Sequence, residues 1–199
     1  MSESAPVSSA RRDELLERAY HYATRTGLSD LSLRPLAAAV GSSPRVLLFL
    51  FGSKDDLVRA LLARARQDQL TLLDRMRAED SATDVRTAVQ TLWRWLADST
   101  HRPLLVLWLE AYAQSLRQPR GAWDHFARQT VDDWLTELAR VQPEARRHTP
   151  AGVAERTLAL AVLRGSLLDL LATSEHDRIT AAVHRYLDHT AADEANGPR

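Results

Sequence analysis

The chain has 199 residues, of which 45% are apolar and 26% charged, with 26 Lys and Arg balanced by 26 Asp and Glu. A sizeable core is affordable, and the zero net charge excludes a histone-like or polybasic protein while leaving room for a local basic surface. The absence of cysteine excludes disulfide frameworks, thiolate metal sites and cysteine nucleophiles. The opening MSESAPVSSA has neither a cationic start nor an apolar run, and no stretch of about 18 apolar residues exists. A cytoplasmic protein without a membrane span is the expectation.

In chain order, Leu15, Ala19, Tyr22 and Ala23 form one apolar stripe on a helix predicted over 11–26, which Gly27 terminates. Ser32 caps a short helix over 33–40, with Pro35 in its first turn and Gly41 as its stop. A third helix, 44–51, follows Ser43 with Pro44 as its first residue and Gly52 as its end. Ser53 opens SKDD, a capping-box pattern that starts a long helix over 53–76. Five more helices are predicted at 84–98, 103–117, 122–140, 151–173 and 176–190, separated by polar breaks such as EDSATD and VQPEARRHTPAG. No alternating strand pattern or repeat interrupts them. The fold class is all-α, about nine helices, with polar ends at 1–9 and 191–199 expected to be disordered.

Two textures divide the chain. Residues 10–54 hold three short helices joined by tight turns; 55–190 is long-helix material carrying all five tryptophans. The pair 33–40 and 44–51, joined by GSS and buttressed by an earlier helix, is a helix-turn-helix arrangement. From Leu31 to Lys54 there is no acidic residue, yet Arg34, Arg45 and Lys54 are present. Cations that neutralise phosphates release counterions, and an acid on the same face would oppose that. The bland reading is a three-helix packing unit with a polar edge.

The run GLSDLSLRPLAAAVGSSPRVLLFLFGSKDDLV, residues 27–58, resembles the DNA-binding head of the TetR family of one-component bacterial regulators. LRGSLLDLLATSEHDRITAA, residues 163–182, resembles the last two helices of many actinobacterial members. The resemblance implies a sequence-specific, dimeric, ligand-responsive repressor that binds a double-stranded DNA operator. It assigns Ser42, Ser43, Pro44 and Arg45 to base edges, with Arg45 suited to guanine, and Ser32, Arg34 and Lys54 to phosphates. The subtype's recognition helix usually reads LLYHF, whose tyrosine and histidine contact phosphates. Phe49 and Leu50 stand there instead, as apolar groups on a DNA-facing surface or as marks of weakened binding. The alternative is therefore a dimeric small-molecule-binding or protein-interaction regulator whose head has weakened or been lost. Val46, Leu47 and Phe51 are expected to anchor this helix to the core.

In the body, PLLVLWLEAYAQSL is apolar nearly all round, so its helix is central. Glu110 within it is either a carboxylate satisfied by an arginine or a helix end, or a ligand-orienting group. Trp93, Trp108, Tyr112 and Phe126 are candidate walls for a small apolar or aromatic effector, or simply gap-filling core. Leu160, Leu163, Leu167 and Leu171, with Ile179, Val183 and Tyr186 on the next helix, are the expected homodimer interface, two helices per chain. His184, Asp188 and His189 share one end of a helix and read as solvated surface. No catalytic motif, metal site or cofactor is expected, and no enzyme.

Overall fold

The computed structural model describes the backbone of residues 4–28, 31–78 and 84–196, and side chains within 9–28, 31–71 and 84–190. Its elements are α1 (Ser4–Thr26), α2 (Leu33–Ala39), α3 (Pro44–Phe51), α4 (Lys54–Ala78), α5 (Val85–Leu96), α6 (Arg102–Arg117), α7 (Phe126–Arg140), α8 (Glu144–Arg147), α9 (Pro150–Thr173) and α10 (His176–Asn196), with 3-10 turns at Ser99–His101 and Gly121–Trp123. Among the described residues there is no strand, so the all-α reading holds. None of these helices is long and apolar enough to cross a membrane. Two boundaries differ from expectation for plain reasons. α1 begins at Ser4, because Pro6 falls in the first turn, where a missing N–H costs no intrahelical bond. α10 continues to Asn196, because no glycine or proline interrupts it before Gly197. Residues 1–3 and 197–199 lie outside the described residues. α8 is one short turn inside a segment read as a break.

The chain divides into two compact units, Met1–Gln69 with Pro103–Gln129, and Leu70–Arg102 with Thr130–Arg199. In the first, Leu15, Ala19 and Ala23 of α1 are buried with Leu36 of α2 and Leu47 and Phe51 of α3. The same core takes in Leu57 and Leu61 of α4, and Leu107 and Ala111 of α6. Polar contacts fasten α1 to α4 beside it. Arg64 donates to Glu17 at 2.6 Å and to Asp68, Tyr20 donates to Asp68 at 2.7 Å, and the Arg64 guanidinium lies 4.9 Å from the Tyr20 ring centre.

In the second unit α5 packs on α9 and α10. Leu92, Trp93 and Leu96 are buried there, as are Leu160, Leu163 and Leu167 of α9 and Ile179, Val183 and Leu187 of α10. The Trp93 indole donates to Thr180 at 3.1 Å. Between α7 and α9, Arg147 donates to the carbonyls of Ala139, Arg140 and Gln142, closing the end of α7. Gly152 lies so close to the Arg146 carbonyl that a Cβ would sit 2.1 Å from its oxygen.

This packing changes which α9 residues face outward. Leu160, Leu163, Leu167, Ile179 and Val183, expected between two chains, are buried inside one; Leu171 and Tyr186 are half-buried. α9 is apolar on both sides, so the expected stripe is the one its own neighbours cover. The opposite side leaves Val153, Leu158 and Leu168 exposed, the leucines at 54% and 52%. An apolar groove of about 700 Å³ runs here, lined by His148, Pro150, Val153, Ala154, Thr157, Leu158 and Ala161.

Candidate nucleic-acid interface

The turn between α2 and α3 follows from one glycine. Gly41 has φ +67°, and the two bonds that close α2, Gly41 N–H to Ala38 O and Ser42 N–H to Ala37 O at 2.8 Å, form a Schellman motif. Arg18 of α1 adds a bond to the Val40 carbonyl at 3.3 Å. Ser43 then caps α3: its backbone is extended, its hydroxyl accepts the Val46 N–H at 3.2 Å, and Pro44 occupies the first helical position. At the far end Gly52, with φ +90°, stops α3. Immediately after, Ser53 and Asp56 form a reciprocal cap for α4. The Ser53 hydroxyl accepts the Asp56 N–H at 3.0 Å, while the Asp56 carboxylate accepts the Ser53 N–H and O–H.

Leu47 and Phe51 of α3 are buried, and Leu50 is half-buried against the same core. The Phe51 ring also carries the Arg12 guanidinium 4.9 Å from its centre. Opposite them, at about 100° per residue, Arg45 and Phe49 stand next to each other at the centre of the outer face. Phe49 is 83% exposed. Val46 and Leu48 flank them, each 39% exposed, so Val46 is not the anchor that its apolar character suggested. The run LLFLF thus divides into two buried residues, one half-buried, one at the margin and one ring in the open.

Arg34, Arg45 and Lys54 are all exposed and have no ion-pair partner among the described residues. Ser32, Ser43 and Pro44 are exposed and Ser42 half-buried. The two acids that follow Lys54 in sequence are engaged elsewhere. Asp56 is held in the α4 cap and pairs with Arg59 at 2.9 Å, and its carboxyl titrates below the usual range, chiefly through the Ser53 hydroxyl. The Asp55 carboxylate lies against Gly121.

The candidate effector walls fall in different places. Trp108 is half-buried and its indole donates to Ala65 O of α4 at 3.3 Å; Tyr112 is half-buried on the same helix; Phe126 is buried at the start of α7. These three belong to the first unit, whereas Trp93 is buried in the second. Glu110 accepts the Leu28 N–H at 2.8 Å, at the turn that follows α1. Its carboxylate occupies the space beside Gly27 that a side chain there would need. Sequence reasoning missed the outer apolar face of α9 altogether; the almost continuous apolar run 158–171, interrupted by Arg164, Ser166 and Asp169, was its one trace.

No family model matches the chain. It is 25% identical over 188 residues to an HTH-type transcriptional regulator BetI from Stenotrophomonas maltophilia, covering 92% of this chain and 93% of that one. A transcriptional regulator from Saccharomonospora viridis, in complex with choline, superposes with a TM-score of 0.73 at 20% identity, covering 91% of this chain and 97% of that one. A TetR transcription regulator from Haloarcula marismortui superposes with a TM-score of 0.67 at 17% identity, covering 92% and 98%. The helix-turn-helix tip and the helices behind it therefore make up the fold of the TetR-family transcriptional regulators.

Proposed function

We propose that the protein is a sequence-specific DNA-binding transcriptional regulator, acting as a dimeric, ligand-responsive repressor. The observation that carries this is the exposed tip on which Arg34, Arg45 and Lys54 stand without an acidic partner among the described residues, around a capped α3. Arg45 presents a fork that matches guanine O6 and N7, and Lys54 and Arg34 meet phosphates at helix starts. Ser42, Ser43 and Pro44 lie at the end of α3 that enters the groove first, and Ser32 with Arg34 at the start of α2.

A dimer supplies two tips for half-sites about 34 Å apart. The apolar side of α9 bearing Val153, Leu158 and Leu168 suits a second copy, since burying it removes exposed leucines from water. The effector is a small molecule with an apolar or aromatic body, received by Trp108, Tyr112 and Phe126. Choline in the Saccharomonospora viridis regulator adds quaternary ammonium compounds, which aromatic faces attract, to the set worth testing. Effector lowers DNA affinity only if it binds the released conformer more tightly than the DNA-competent one.

Salt-titrated binding of the full chain to the DNA upstream of its own coding sequence tests the proposal. A preferred site, with affinity falling as salt rises, supports it; a folded dimer with no sequence preference at low salt refutes it. The second reading, a regulator with a weakened head, draws on Phe49 and Leu50, which lack the subtype's phosphate-directed polar groups. Phe49→Tyr with Leu50→His discriminates: if the pair creates DNA binding that the parent lacks, the second reading stands.

A further inference from the structure

We infer that Phe49 is a specificity-determining residue that reads a thymine methyl group in the major groove, within about two base pairs of the guanine met by Arg45. The inference rests on the DNA-binding reading above and deepens it. Among the described residues Phe49 is the most exposed of the large apolar ones, at 83%, while Leu47 and Phe51 on the same helix carry the packing into the core. Its ring therefore contributes little to holding α3 in place. It stands four residues after Arg45, on the same outer face and about 6 Å further along the helix axis.

The surroundings select the partner. Arg45 and Lys54 flank the ring with no acid between them in sequence, so the complementary surface is anionic. A phenyl ring cannot bond a phosphate oxygen. The one apolar feature that a major groove edge offers is the C5-methyl of thymine. A separation of about 6 Å along α3 spans at most roughly two base-pair steps of about 3.4 Å, which bounds how far that methyl lies from the guanine.

The test begins with selection by the full-length protein from a duplex library carrying a randomised window. A recovered duplex is then remade with deoxyuridine in place of single thymines, which deletes only the methyl. One thymine per half-site, within two base pairs of a guanine, should show about a fourfold loss of affinity for the wild type on demethylation. Phe49→Ala should lose about the same factor on the thymine duplex and become indifferent to deoxyuridine there, with its melting temperature unchanged. Leu48→Ala should keep the wild-type sensitivity. Indifference of the wild type to every deoxyuridine overturns the inference while leaving DNA binding intact, as does an equal loss in Phe49→Ala or sensitivity that follows Leu48. Failure to select any sequence, with no salt-dependent binding, overturns both readings together.

Discussion

Replacing Gly27 by alanine should destabilise the protein for two separable reasons, and Glu110 tells them apart. The first is conformational: Gly27 has φ +85°, a region that costs an L-residue about 1–2 kcal/mol. The second is a collision. A Cβ at position 27 would lie 2.9 Å from one Glu110 carboxylate oxygen and 3.2 Å from the other, and that carboxylate accepts the Leu28 N–H at 2.8 Å. Pushing it aside loses a charge-assisted hydrogen bond, about 1.5–3 kcal/mol. Gly27→Ala should therefore cost about 2.5–5 kcal/mol, and Glu110→Ala, which loses the Leu28 bond without straining the backbone at position 27, at least about 1.5–3 kcal/mol. The double variant pays the bond once, so it should be no less stable than Gly27→Ala alone. Urea denaturation at a fixed protein concentration measures all three, with midpoints converted through a common m-value. Additive single effects would refute the reasoning, because they would mean that the carboxylate does not stand over Gly27.

Leu158→Glu should convert the proposed dimer to a monomer in sedimentation velocity with helicity retained, whereas Leu163→Glu, at a buried site, should abolish folding; the reverse outcome would mean that α9 is turned the other way. Arg45→Ala should cost about 1–3 kcal/mol on the preferred site and relax its sequence, while Lys54→Ala should weaken all sequences alike and lower the salt slope by about one. The depressed Asp56 carboxyl stabilises the folded state above the ordinary carboxylate range, and this contribution is lost as pH falls through its lowered folded value. Thermal scans in acid should therefore show Asp56→Asn losing less stability on acidification than the wild type.

The sequence yielded most where one residue type has one job. Gly27, Gly41 and Gly52 stop their helices as read, Ser43 and Ser53 start theirs, and the acid-free span coincides with the exposed cations of the tip. It yielded less where several apolar residues sit together. In 46–51 every residue is apolar, so periodicity alone could not choose between Phe49 and Leu50 for the outside; packing on α1 and α2 chose. On α9 both faces are apolar, and only the positions of α5 and α10 decide that Leu163 points in and Leu158 out. Glu110 and Leu28 are 82 residues apart, and nothing local in either segment announces their bond.

The cluster of Glu17, Tyr20, Arg64 and Asp68 has a mechanical meaning. It clamps α1 to the opening four turns of α4, so the tip and that stretch of α4 must travel as one solid piece. No joint therefore falls at Ser53, where the cap is tightest, and Arg45 keeps its place relative to Asp68 whenever that stretch of α4 moves.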